Sequence, residues 1–153
     1  MGNGLTSARM TKYLSEVPRF VLGFVLFAFG LAGLLHLLPA QPPMEGPAGV
    51  YMAGLTGSYL FTLVKATEVL AGALLLSNRF VPLALTIAAP VLVNIAAFHA
   101  LYAPAGLGLP VVLVAAAAFT AWKHRAAYAP MFAVASRRDL GRGTLEVASG
   151  AAR

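Results

Sequence analysis

Hydrophobic positions along this chain come in long runs separated by short polar or Pro/Gly-rich clusters, a pattern that predicts membrane-length helices rather than alternating strands. The first run, FVLGFVLFAFGLAGLLHLL from Phe20 to Leu38, has the length of a spanning helix and stops at Pro39. It is too long for a removed signal peptide and lacks the small-residue cleavage site of one. The connection PAQPPMEGPAGVYMAGLTGS follows, and its second half is apolar enough to lie in the interface or form a short re-entrant piece. The second run is YLFTLVKATEVLAGALLL, Tyr59–Leu76, closed by Ser77, Asn78 and Arg79. The third is FVPLALTIAAPVLVNIAAFHAL, from Phe80 to Leu101, with Pro82 near its start and Pro90 inside. After the turn YAPAGLGLP, a fourth runs from about Leu107 to Trp122 and ends at Lys123, His124 and Arg125.

The expected architecture is therefore all-α: a polytopic membrane four-helix bundle over residues 17–128, with spans at about 20–38, 59–76, 80–101 and 107–122. Residues 1–16 read as a short segment ahead of the bundle, and 129–153, with its mixed charge and glycines, as a mobile basic tail. Composition agrees with this picture. Hydrophobic residues make up 59% of the 153 and charged ones 10%, which excludes an additional soluble catalytic domain of any size. The mean hydropathy is +0.80. Cysteine is absent, so disulfides, thiolate nucleophiles and cysteine-bound metals are excluded within this polypeptide.

The net charge of +6 does not point to nucleic acid, because the basic residues flank apolar runs, where they set topology and meet anionic lipid. Arg9, Lys12 and Arg19 precede the first run, Arg79 lies between the second and third, and Lys123, Arg125, Arg137, Arg138 and Arg142 follow the fourth. The two remaining connections hold no Lys or Arg. Both termini are thus expected in the cytoplasm, with Arg79 as a topology marker.

Two opposite charges interrupt the second run. Lys65 and Glu68 are three residues apart and within mutual reach, which offsets part of the cost of dehydrating both. At 100° per residue Ser58, Thr62, Lys65, Glu68 and Gly72 share one stripe, which should face protein rather than lipid. Pro82, Thr86, Pro90 and Asn94 recur along the third run, and Pro90 has no N–H to give Thr86, so a kink is expected about one turn before Asn94. The first stripe is expected to face the second. Counting inward from the outer ends of the runs, His36 and His99 lie roughly 3 Å deep, Lys65 and Asn94 roughly 10 Å, and Glu68 near mid-membrane. An outward-opening cavity rimmed by the two histidines and floored by Lys65 and Glu68 follows from these depths. The alternative is a structural ion pair that fixes helix register, with Asn94 as interhelical glue. No metal is expected, since the histidines lack a ligand spacing. Gly23, Gly30, Gly33 and the alanines 115–118 read as sites of close helix packing, and Phe24, Phe27, Phe29, Tyr59, Phe61 and Phe98 as core and lipid contacts, with a quinone slot as the other reading.

The segments GSYLFTLVK, EVLAGALLLSNRFVPLAL and APVLVNIAAFH, in that order between about Tyr13 and Tyr128, resemble the DoxX family of small bacterial four-helix membrane proteins. The resemblance implies a multi-pass protein of the bacterial inner membrane associated with redox chemistry, since relatives were named as subunits of a thiosulfate:quinone oxidoreductase and others are linked with thiol and oxidative-stress systems. It implies a quinone as the candidate cofactor, protein partners in a redox complex and membrane lipids as surroundings, and it leaves self-association open. By position the motif residues are Lys65, Glu68, Asn78, Arg79, Asn94 and His99. Where such members often carry an acid in the fourth span, this chain has VVLVAAAAFTAW. Whether the protein is an enzyme is not legible, because no electron carrier can be read from the residues.

Overall fold

A computed structural model describes the backbone of residues 3–39 and 43–132, and side chains within 13–39 and 43–131. Among the described residues six helices follow one another: α1 (Asn3–Leu34), α2 (Gly46–Thr56), α3 (Tyr59–Leu76), α4 (Val81–Tyr102), α5 (Gly108–Lys123) and the single turn α6 (Arg125–Tyr128). Short 3-10 turns lie at Pro104–Gly106 and Ala129–Phe132, and the described residues contain no strand. The tail expected to be mobile lies, from residue 133 on, outside the described residues.

The first helix differs from its expected bounds at both ends. It reaches back to Asn3 through a segment that includes the helix formers Leu5, Ala8, Arg9, Met10, Lys12, Leu14 and Glu16, and it continues through Pro18. It closes at Leu34, four residues short of Leu38. His36 takes a positive φ of 55°, its N–H bonds to Gly33 O at 3.2 Å, and the N–H of Leu37 bonds to Ala32 O at 2.8 Å. This pair of bonds satisfies the terminal carbonyls and turns the chain out of the helix. Helix α3 ends in the same way, with Asn78 at φ 55°, its N–H on Leu75 O at 3.3 Å and that of Arg79 on Leu74 O at 3.0 Å.

Helices α1, α3 and α4 are long and apolar enough to cross a membrane. Helix α5 is apolar but has 16 residues, about 24 Å of helix against a hydrocarbon core of about 30 Å. The four touch in a ring, α1 to α3, α3 to α4, α4 to α5 and α5 back to α1. Inside the ring Leu22, Leu26, Ala71, Leu75, Ala84, Leu85, Ala88, Leu92, Leu113 and Ala116 form one apolar core. Large apolar side chains such as Phe24, Leu70 and Val93 point outward, an arrangement suited to an apolar surrounding.

One end of the ring is fastened by polar contacts. Arg19 on α1 is buried, donates from Nη1 to the carbonyl of Leu75 at the end of α3, and donates from Nε to Glu16 at 2.9 Å. Lys123 at the end of α5 reaches Ser15 O at 3.0 Å, Ser15 Oγ at 3.1 Å and Glu16 Oε1 at 2.6 Å. Tyr128 donates to Pro82 O at 3.0 Å, tying α6 to the start of α4. Burial pushes its phenol above the usual tyrosine range.

Candidate functional site: a charged wall between two cavities

Lys65 and Glu68 stand on one face of α3, one turn apart, with Nζ 2.8 Å from Oε2. Glu68 has 3% of its side chain exposed and Lys65 15%, so the pair is largely removed from water. What makes room for it is α1. A Cβ added at Gly30 would sit 2.8 Å from Glu68 Cβ and 2.9 Å from Val69 N, and one at Gly33 would sit 2.6 Å from Lys65 Cδ. At Gly30, where the neighbours are backbone and a Cβ, only a residue without a side chain lets the two helices approach, while at Gly33 the neighbour is the aliphatic stem of Lys65. Gly72, the next member of the stripe, meets the backbone of Gly23 and Phe27 on α1.

The stripe on α3 therefore faces the glycines of α1 and not the stripe of α4. On α4 the buried face is Val81, Ala84, Leu85, Ala88, Val91 and Leu92, while Thr86, Pro90 and Asn94 are exposed. Helix α4 continues through Pro90 as a single element. Ser58 is spent at the start of α3, where its Oγ accepts from Leu60 N at 3.3 Å, and Thr62 is exposed. Of the polar residues of the first stripe, Lys65 and Glu68 are the ones turned into the bundle.

Helix α4 supplies one further member of the site. His99 lies a turn from the end of α4, and its Nδ1 is 2.9 Å from Ile95 O. A carbonyl only accepts, so Nδ1 carries the hydrogen and Nε2 is the nitrogen left for other work. Gly106 in the turn after α4 lies against that edge of the ring: a Cβ there would be 2.7 Å from Cδ2 and 3.1 Å from Nε2.

Lys65, Glu68, Ile95 and His99 line two cavities at once. One, about 250 Å³, lies toward α1 and α5 and is walled by Val25, Phe29, Leu109 and Leu113. The other, about 430 Å³, lies under α2 and includes Tyr51, Phe61, Asn94 and Phe98. The charged group is the partition. Three of the residues expected at the floor and rim, Lys65, Glu68 and His99, are brought together here, and Asn94 borders the larger cavity. His36 stands apart: it is exposed, lines neither cavity, and serves as the left-handed closing residue of α1. Arg79 is exposed in the α3–α4 turn.

Tyr51 is the member that sequence reading missed. Asn94 Nδ2 donates to its hydroxyl at 2.5 Å, and its ring lies 5.0 Å from that of Phe98 and 6.5 Å from that of Tyr102. These contacts seat α2 over the larger cavity as a cover. The only available signal was an amphipathic tyrosine in the apolar half of the Pro/Gly-rich connection.

Chemically, the wall offers an ammonium donor with hydrogens beyond the one given to Glu68, a carboxylate, and an imidazole nitrogen, each facing spaces otherwise lined by aliphatic and aromatic groups. Such a setting suits a ligand with a polar head and an apolar body. Among the described residues no three His, Cys, Asp or Glu cluster in a way that would hold a metal ion. No family model, curated protein or solved structure matches the chain.

Proposed function

We propose that this chain is a DoxX-like multi-pass protein of the bacterial inner membrane, with α5 as a fourth span and both termini in the cytoplasm, and that its cavities take up a quinone or a similar small redox molecule. It would act as a redox-associated subunit beside protein partners. One observation carries the reading: Lys65, Glu68 and His99 meet as a polar wall shared by two apolar cavities inside the ring of helices. Lys65 would donate to a ligand carbonyl, and Glu68 with His99 Nε2 would exchange protons with the head while a redox group of a partner protein supplies or takes up its two electrons. The sidedness rests on the basic residues gathered at the end of the ring where Arg19, Arg79, Lys123 and Arg125 lie. The test is purification from native membrane with mass spectrometry of the co-purifying lipids and quinones. A bound quinone that disappears in Lys65→Met/Glu68→Gln supports the site; quinone content equal in the variant and the parent removes it.

A second reading has its own support. The tight contact of Gly30 and Gly33 with the two charged side chains is what a packing pair requires, and the protein would then be a non-enzymatic membrane carrier or assembly scaffold. In that case no quinone co-purifies, and either single variant, Lys65→Met or Glu68→Gln, loses thermal stability because it leaves one buried charged partner alone.

A further inference from the structure

A third cavity, about 680 Å³, shares no residue with the two beside the charged wall. It is a groove between α4 and α5, cut by the small side chains Ala117, Ala118 and Ala121 on one side and walled by Leu85, Ala89 and Val93 on the other. On α5 it runs from Val114 to Ala121, about 11 Å at the rise of an α-helix, and beyond the end of α5 it reaches Arg125 on α6. A groove of this reach fits within one leaflet, half of a hydrocarbon core of about 30 Å. The groove ends at Arg125 and at Tyr128, whose hydroxyl is fastened to Pro82 O.

Arg125 gives one N–H to Trp122 O at 3.1 Å and lies 5.3 Å from the Trp122 ring, and no carboxylate pairs with it among the described residues. A guanidinium has five N–H donors in a fork that matches phosphate. The surrounding end is positive: of the described acidic side chains only Glu16 is there, already held by Arg19 and Lys123. We infer that this groove holds one acyl chain of an anionic phospholipid whose phosphate rests on Arg125. The inference depends on membrane placement and not on the quinone reading.

The protein has a single tryptophan, Trp122, beside Arg125. Full-length protein reconstituted in phosphatidylcholine vesicles can therefore be titrated with brominated phosphatidylglycerol or brominated phosphatidylcholine, and the quenching of Trp122 gives their relative association constants. The expected result is a preference of about five-fold for the anionic lipid, the scale of one basic residue at a membrane surface. It should fall to near unity in Arg125→Gln, and the saturable part of the quenching should vanish in Ala118→Phe. Equal quenching by both lipids in the parent, or a preference that survives Arg125→Gln, overturns the inference. So does a dimer that fills the groove and dissociates on Ala118→Phe with no dependence on lipid. Failure of the chain to float with the vesicles would instead overturn its membrane placement.

Discussion

The two ends of the helical ring are built on different principles. At the basic end, Arg19 joins α1 to α3, Lys123 joins α5 to Ser15 and Glu16 of α1, and Tyr128 joins α6 to α4, by directed bonds between groups far apart in sequence. At the other end the helices stand around cavities, and closure comes from α2 through one hydrogen bond and a cluster of rings. Helix α2 has no buried residue at all. In an apolar surrounding the packing of apolar faces gives little net drive for association, so directed polar contacts decide where a bundle is firm. The firm end is where the polar contacts are, and the two cavities beside the charged wall lie at the end they leave out, while the groove that reaches Arg125 runs along the α4–α5 seam.

The largest effect should come from dismantling the firm end. Arg19→Met leaves the Leu75 carbonyl without its donor and Glu16 with one cation fewer. A loss of about 2–3 kcal/mol is expected, read as a lower midpoint of thermal or detergent-induced unfolding. At the other end Tyr51→Phe removes only the acceptor of Asn94. About 1 kcal/mol of local opening should follow, seen as faster hydrogen exchange across residues 46–56 with the global midpoint nearly unchanged. An equal drop in global stability from both variants would erase the contrast between the ends.

The smallest effect compares two turns of the same kind. His36 and Asn78 each close a helix in the left-handed region, one at each end of the ring. Glycine adopts that conformation without steric cost, so His36→Gly should raise the unfolding midpoint by the equivalent of about 0.5–1 kcal/mol. Asn78→Gly should gain less, because asparagine already tolerates the conformation.

The membrane-length helices were legible because long apolar runs and their Pro, Gly and Asn stops are local properties of the chain. The Lys65–Glu68 pair was legible for the same reason, since a spacing of three puts two side chains on one face whatever surrounds them. Which neighbour that face meets is not local. Gly30 and Gly33 announced a close approach, but nothing in their spacing named Lys65 and Glu68 as the groups approached. The α4 stripe misled because a repeat of four advances 40° per step, so that Pro82 and Asn94 end up about 120° apart around the helix. The apolar face carrying Ala84, Ala88 and Leu92 took the core instead. Arg19 was read as a topology marker, although Glu16 three residues earlier already offered it a partner.

The bond from Arg19 to Leu75 also has a place in time. The chain is made from its amino terminus, and the acceptor lies 56 residues after the donor. While α1 enters the membrane, the carbonyl that will receive the guanidinium has not yet been synthesised, and Glu16 is the nearest carboxylate that can accompany the charge. The first helix should therefore wait at the insertion machinery with its charged end near water. Its guanidinium can reach its second acceptor only once the end of α3 has been made.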